Sequence, residues 1–200
     1  MRVIAGALKG RPLVAPPGHR TRPTADQVRI ALMDALMPWL SDARVLDLFA
    51  GSGAVGLEAL SRGAAHGTFV ERDVRALGAL RTNVETLGLR AHARLARGDV
   101  ARELERLARE GERFDVVFLD PPYEADLVAA TLARLGQGRV TVPGAMVVAQ
   151  HFTKQSPPDT IGCLRVLRRR RFGETTLTFY RDVTGGPEHE VPVDAGDAGA

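Results

Sequence analysis

Asp120-Pro121-Pro122-Tyr123 directly follows the apolar run Phe114-Asp115-Val116-Val117-Phe118-Leu119, so a buried strand is expected to end by presenting an acid, two prolines and an aromatic ring. These are the components of a pocket for a flat base that carries an amine. An ionised carboxylate offers only acceptors. Neither proline has a backbone N–H, so a carbonyl in this turn meets an incoming amine without competing donors. Tyr123 can stack on the base. The same four residues also suit a plain strand-ending turn with a buried tyrosine, and the residues upstream decide between the two.

Upstream, an apolar strand runs into Asp47-Leu48-Phe49-Ala50-Gly51-Ser52-Gly53-Ala54-Val55-Gly56, a Gly-x-Gly-x-x-Gly spacing that opens a helix. Glycines at these positions permit a tight turn and let a ligand approach the backbone closely. Asp47, just before the bend, suits an ammonium group better than a pyrophosphate, because two anions would repel. Glu71, closing the next strand in Phe69-Val70-Glu71-Arg72, can accept hydrogen bonds from both hydroxyls of a ribose. Asp99, in Gly98-Asp99-Val100, is placed to meet an adenine amine. Each acid also has a structural role open to it: Asp47 in a turn, Glu71 paired with Arg72 or Arg75, Asp99 as a helix cap. Jointly those roles explain less, because all four segments close successive strands, where open parallel sheets bind ligands.

The elements that must position these residues follow from periodicity. Strands are expected at 45–49, 67–70, 92–95, 115–119 and 145–151, separated by helices at about 54–62, 74–87, 100–109 and 127–135. Near-continuous apolar strands alternating with helices of this length indicate an α/β parallel sheet covered on both faces. Segments 164–168 and 175–180 are expected to close it as an antiparallel pair. Residues 1–23 read as a basic extended arm, a short hairpin followed by a loop, with Arg2, Lys9, Arg11, Arg20 and Arg22 set among glycines and prolines. Thr24 is then expected to cap a helix carrying Val28, Leu32, Ala35 and Leu36 on one face, ended by Pro38. Three regions result: a basic extension over 1–40, a main domain over 41–183, and a disordered acidic tail over 184–200.

Composition narrows the chemistry. With 200 residues, 44% of them hydrophobic, the chain suits one compact domain. Cys163 is the only cysteine and the five histidines are scattered, so neither a metal nor a thiol is expected at the site. No apolar run approaches a membrane span and the start lacks a signal-peptide pattern, which leads to the expectation of a cytoplasmic protein with no membrane partner. The net charge of +3 understates the body of the chain, because residues from Asp182 onward hold five acids and no Lys or Arg. Residues 1–181 therefore carry 27 basic side chains against 19 acidic ones, or +8, which favours a polyanionic partner. The run Arg168-Arg169-Arg170-Arg171 reads as a second set of phosphate grips or as a solvated strand edge, and alternation sends only some of its side chains to one face.

With these motifs in place, the chain resembles the amino-methylating class I S-adenosylmethionine-dependent methyltransferases. The resemblance narrows on Arg2-Val3-Ile4-Ala5-Gly6 with Lys9-Gly10-Arg11, on Arg22-Pro23-Thr24-x-Asp26-x-Val28-Arg29, and on Phe172-Gly173-Glu174-Thr175. Together with the bends above, these look like the RsmD-type 16S ribosomal RNA (guanine-N2)-methyltransferases over about residues 1–181. Gln27 stands where that family usually has arginine, and Ile30 where it usually has glutamate. The resemblance implies a Rossmann-like, seven-stranded, mostly parallel sheet with helices on both faces and a small N-terminal hairpin and helix extension. It implies S-adenosylmethionine as cofactor, contacted by Asp47, Phe49, Ala50, Gly51, Ser52, Gly53, Glu71, Arg72, Asp99 and Val100. Asp120, Pro121, Pro122 and Tyr123 would hold the target amine. Arg2, Lys9, Arg11, Arg20, Arg22, Arg29, Arg168 and Arg170 would hold the RNA.

The resulting expectation is a monomeric enzyme that methylates a guanine N2 amine of 16S ribosomal RNA, in an assembled or partly assembled 30S particle. The alternatives are an adenine-N6 or cytosine-N4 nucleic-acid methyltransferase, for which the chain leaves no room for a target-recognition domain, and a noncatalytic RNA-binding assembly factor. Protein glutamine methylation is a weaker competitor, since it would call for asparagine at position 120.

Overall fold

The computed structural model describes residues 1–16, 23–122 and 125–186, so Arg20, Arg22, Tyr123 and residues 187–200 lie outside the described residues. One sheet organises the chain. Its strands are β1 (Arg44–Leu48), β2 (His66–Glu71), β3 (Ala93–Arg97), β4 (Phe114–Leu119), β5 (Thr141–Phe152), β6 (Thr160–Ile161), β7 (Leu164–Phe172) and β8 (Thr175–Asp182). They lie in the order β3-β2-β1-β4-β5-β8-β7-β6. The first five are parallel and the last three antiparallel. The helices are α1 (Pro23–Leu36), α2 (Ala54–Ser61), α3 (Val74–Thr86), α4 (Val100–Arg109) and α5 (Ala125–Leu135).

Eight strands replace the expected seven. The extra one is the two-residue β6, too short for any apolar pattern and preceded by Pro157-Pro158. β5 starts at Thr141, four residues before the expected Ala145, and its pairing with β4 shifts register between Phe114 and Val116. The first helix begins at Pro23, so Thr24 lies inside the first turn instead of capping it; proline fits there because a first-turn N–H has no helical partner. Pro38 sits in the middle of a short 3-10 turn over Met37–Trp39, where α1 stops. Thr184, grouped with the tail by composition, is held by its amide donating to Asp182 Oδ1 at 2.8 Å.

Alternation along the buried strands builds two cores. On β4, Val116 and Phe118 join the layer of α1, α2 and α3, with Leu32, Leu57, Leu80 and Phe69. Val117 and Leu119 join the layer of α4 and α5, with Leu104, Leu107, Leu132 and Leu135. A strand that must be apolar toward both helix layers reads as one continuous run. On β1, Val45 faces the first layer while Leu46 and Leu48 face the second, so Asp47 shares the α2 side with Val45.

The arm lies on the first layer. Arg2 and Pro12 form one antiparallel bridge, flanked by Val3 N–H to Arg11 O at 3.0 Å and Leu13 N–H to Met1 O at 2.9 Å. Val3 and Leu13 are buried. Glu58 of α2, fully buried, accepts the amides of Ile4 at 2.8 Å and Ala5 at 2.9 Å and the Nε of Arg62 at 3.0 Å. Ser61 Oγ accepts the Leu8 amide at 3.0 Å and donates to Ala5 O at 2.6 Å. Gly6 turns here at φ +83°, and a Cβ would sit 1.9 Å from Ser61 O. Glu58→Gln turns one acceptor into an NH2 group facing a buried amide, an unmade bond costing about 1–3 kcal/mol. The expected result is a lower urea midpoint and faster limited proteolysis within residues 1–16.

Candidate active site

The sheet reverses its direction of growth between β1 and β4, and the candidate residues collect at the carboxyl ends flanking that point. Leu48 pairs with Val70 on one side and with Leu119 on the other. The residues that follow, Phe49, Glu71 and Asp120, therefore emerge side by side at the strand spacing of about 4.8 Å. The glycine bend and the Asp-Pro-Pro turn therefore stand next to each other at the same edge of the sheet.

Backbone geometry explains the bend. Phe49 has φ +65°, a conformation bulky residues rarely adopt and one that concentrates at functional sites. Gly51 at φ +56° and Gly53 at φ +84° continue the reversal, and Gly53 is the N-cap of α2. The Ala50 amide donates to Val70 O at 2.9 Å, and Gly51's donates to Glu71 Oε2 at 2.7 Å. Asn83 Nδ2 donates to Ser52 O at 2.9 Å. Beside Gly51 the space is open, whereas a Cβ on Gly56 would lie 2.4 Å from the Phe69 ring and 3.2 Å from Asp47 Oδ2. Gly56→Ala should overpack this contact by about 1–3 kcal/mol and lower the thermal midpoint, measurable by calorimetry.

Asp47 is 2% exposed, and its Oδ2 accepts the Gly56 amide at 3.0 Å. Burial pushes its carboxyl up to about 7; the Gly56 amide opposes the rise, and the negative charges of Asp120 and Glu71 add to it. The charges of Asp120 and Glu71 thus reach Asp47, as expected for acids at the ends of neighbouring strands. Asp120 is exposed as a residue, yet protein crowds around its carboxyl. The crowding pushes it up to about 7, and the Gln150 amide, donating to Oδ2 at 3.0 Å, pulls it back. Pro121 is buried and Pro122 exposed; both line a cavity with Asp120, Gln150, Phe152, Gln155 and Thr175.

The other predicted residues are placed as follows. Glu71 Oε1 accepts the Asp73 amide at 2.7 Å, so both oxygens hold backbone and each keeps a second lone pair. Asp99 Oδ1 caps α4, accepting the amides of Ala101 at 3.0 Å and Arg102 at 3.3 Å, and Val100 is buried beside it. Arg72 is exposed, Ala50 buried and Ser52 half-buried. Arg2, Lys9 and Arg11 are exposed on the arm, although Arg11 Nη2 donates to Thr86 O at 2.8 Å. Arg29 is a correction: at 6% exposure it donates to Arg2 O at 3.1 Å and Asp26 Oδ1 at 3.0 Å, so it fixes the arm to α1 and cannot grip a phosphate from there. Arg168 lies over the Phe179 ring at 4.7 Å. Arg170 pairs with Leu177, which pairs with Gln150. Asp120, Gln150, Leu177 and Arg170 thus form one row across four strands, about 14 Å from acid to guanidinium-bearing backbone.

Gln150 and Asn83 escaped the sequence reading. Gln150 had a signal: it closes the apolar run Met146–Ala149 as Asp120 closes Val116–Leu119. Asn83, inside α3, had none.

Sheet order, strained bend and paired acids at the switch point define a Rossmann-like fold of the class I methyltransferase type. The sequence matches the family described as "Conserved hypothetical protein 95" over residues 1–181, and the chain belongs to that family. It is 39% identical over 181 residues to "Putative rRNA methyltransferase YlbH" of Bacillus subtilis, spanning 90% of this chain and 98% of that one. It is 33% identical to "Ribosomal RNA small subunit methyltransferase D" of Escherichia coli strain K12, spanning 90% and 89%. The solved structure "Putative methyltransferase yhhF from Escherichia coli" superposes with a TM-score of 0.80 at 33% identity, over 92% of this chain and 98% of that one.

Proposed function

We propose that this chain transfers a methyl group from S-adenosylmethionine to the exocyclic N2 amine of a guanine in small-subunit ribosomal RNA. The observation that carries this reading is the adjacency of the bends closing β1 and β4, where Leu48 pairs with Leu119 and the charge of Asp120 adds to the raised pKa of the buried Asp47. A cleft with two crowded carboxyls favours a cationic ligand, because a positive charge between them relieves the repulsion.

The residues present fit S-adenosylmethionine. Asp47 would hold its ammonium, the backbone of Phe49 to Gly53 its methionine portion, Glu71 with Arg72 its ribose, and Asp99 with Val100 its adenine. When bound, the group supplies a methyl on a positively charged sulfur that departs as a neutral thioether. Everything else falls to the protein. A guanine amine is a poor nucleophile because its lone pair is delocalised into the ring. Asp120 and the Pro121 carbonyl, accepting the two amine protons, favour a tetrahedral nitrogen and stabilise the charge that develops on it. Gln150, bonded to one Asp120 oxygen, leaves the other for the amine. Tyr123 would stack on the base, and positioning does much of the rest. The amine loses its proton after transfer, so no strong base is required.

A base inside folded RNA must be flipped or splayed to enter. Arg170, in the same row as Asp120, and the exposed Arg2 and Lys9 would grip flanking phosphates together with Arg11, Arg20, Arg22 and Arg168. The protein works in the cytoplasm as a monomer on a 30S particle or its precursor. No helix among the described residues is long and apolar enough to cross a membrane. The test is incubation with labelled cofactor and 30S particles, free 16S RNA or DNA, followed by nucleoside analysis. N2-methylguanosine from the particle is the expected product. Labelled N6-methyladenine or N4-methylcytosine from DNA would replace this reading with the DNA one, and RNA binding with no label anywhere would leave an assembly factor.

A further inference from the structure

One buried side chain serves both the arm and the glycine bend. Asn83 of α3 is 1% exposed. Its Oδ1 accepts the Val14 amide at 2.7 Å, while its Nδ2 donates to Val14 O at 2.9 Å and to Ser52 O at 2.9 Å. A primary amide has two N–H donors on one nitrogen. Both are used, one on the arm and one on the bend, and planarity fixes the angle between them. Rotating the amide toward one partner breaks the bond to the other.

The bend needs such support. Ser52 lies between two glycines at positive φ, and glycines give this segment little intrinsic preference for one shape. Two side chains from outside hold its backbone: Glu71 on the Gly51 amide and Asn83 on the Ser52 carbonyl. Asn83 is itself held by Val14. A second tie runs the same way, since α2 starts at the bend and its Glu58 and Ser61 hold Ile4 to Leu8. The arm is therefore bonded at the bend and at the far end of the helix that the bend begins.

We propose that Asn83 is a positioning residue that couples the basic arm to the cofactor bend: the arm, docked at Val14, holds Ser52 in the binding shape. This rests on the methyltransferase reading above and adds regulation to it. Linkage makes the coupling reciprocal, so cofactor in the bend tightens the arm, and an arm engaged on RNA phosphates favours cofactor. Substrate and cofactor thereby promote each other's binding through the arm, apart from their contact at the reacting atoms.

The test uses the full chain and S-adenosylhomocysteine as the probe. Two variants are compared with wild type by titration calorimetry: Asn83→Ala, and Val14→Pro, which removes the amide that Asn83 accepts while leaving Asn83 in place. Val14 is 51% exposed, so its replacement leaves the core intact. Each variant is expected to weaken the probe about tenfold, within the usual range of coupling between sites. The double variant should be no weaker than Asn83→Ala alone, as for residues acting through one another. Hydrogen exchange gives a readout that loss of packing would not move: the probe should slow exchange at the Val3 and Leu13 amides in wild type and not in the variants.

Wild-type affinity in a folded Val14→Pro, or additive losses in the double variant, would overturn the coupling while leaving the methyltransferase reading standing. A wild-type chain that fails to bind the probe at all would overturn both. If Asn83→Ala does not fold, Val14→Pro with its exchange pattern decides the matter alone.

Discussion

Replacing Asp120 with alanine is expected to leave cofactor affinity nearly unchanged while lowering the single-turnover methylation rate by about a hundred- to a thousandfold, the usual loss when one preorganised electrostatic partner of a transition state is removed. The asymmetry follows from position. Asp120 closes β4 and opens onto the cavity of Pro121, Pro122 and Gln150, whereas the residues assigned to the cofactor close β1, β2 and β3. A variant that methylates at near wild-type rate would remove Asp120 from the mechanism.

The same residue sets an expected pH profile. Asp120 accepts an amine proton more strongly, and stabilises positive charge developing on the nitrogen, when it is ionised, and crowding holds its carboxyl up to about 7. The rate should therefore rise with pH through neutrality and level off above it. Asp47 also stands at about 7, raised mainly by burial and further by the charge of Asp120, so its ionisation falls in the same range. Single-turnover rates at saturating cofactor from pH 5.5 to 9 test this. In Asp120→Asn the residual rate should lose the rise, while a profile that keeps it unchanged would assign the titration elsewhere.

What was legible in the sequence was whatever a local pattern encodes. Strands β1 and β4 must be apolar toward two helix layers, so the polar residues that end those runs, Asp47 near the bend and Asp120 at the turn, stand out against them. Contacts between distant segments leave no such trace. Asn83 bonds residues 69 and 31 positions away, and Gln150 bonds one 30 positions away. Arg29 failed for a related reason. Its charge suggested phosphate, but one helical turn from Asp26 it points under the arm, where the Arg2 carbonyl needs a donor. Asp99 reads as a helix cap or as an adenine contact, and the structure shows the cap in place, on one carboxylate oxygen.

Asp47→Asn should separate stability from binding. The folded chain keeps the Asp47 proton up to about pH 7, while the ordinary carboxyl of an unfolded chain loses it near 3.8. Across that window the native state binds more protons than the unfolded state, so stability falls as pH rises through it. At about 1.4 kcal/mol per pKa unit, the ceiling on this penalty is roughly 4 kcal/mol above neutrality. Asparagine has no charge to desolvate, and its side-chain oxygen can still accept the Gly56 amide. The ligand-free variant should therefore melt higher than wild type at pH 8, with little difference near pH 4. Its affinity for S-adenosylhomocysteine, which keeps the ammonium, should fall about ten- to a hundredfold, the worth of a hydrogen bond to a charged group. Wild-type affinity should rise between pH 6 and 8 as Asp47 ionises, and that rise should vanish in Asp47→Asn. The acid is thus retained at the expense of the empty protein: a buried carboxyl that weakens the fold near neutrality is useful only where a cation is to be held. A variant that bound the probe normally, or gained no stability at pH 8, would show that Asp47 serves the turn alone.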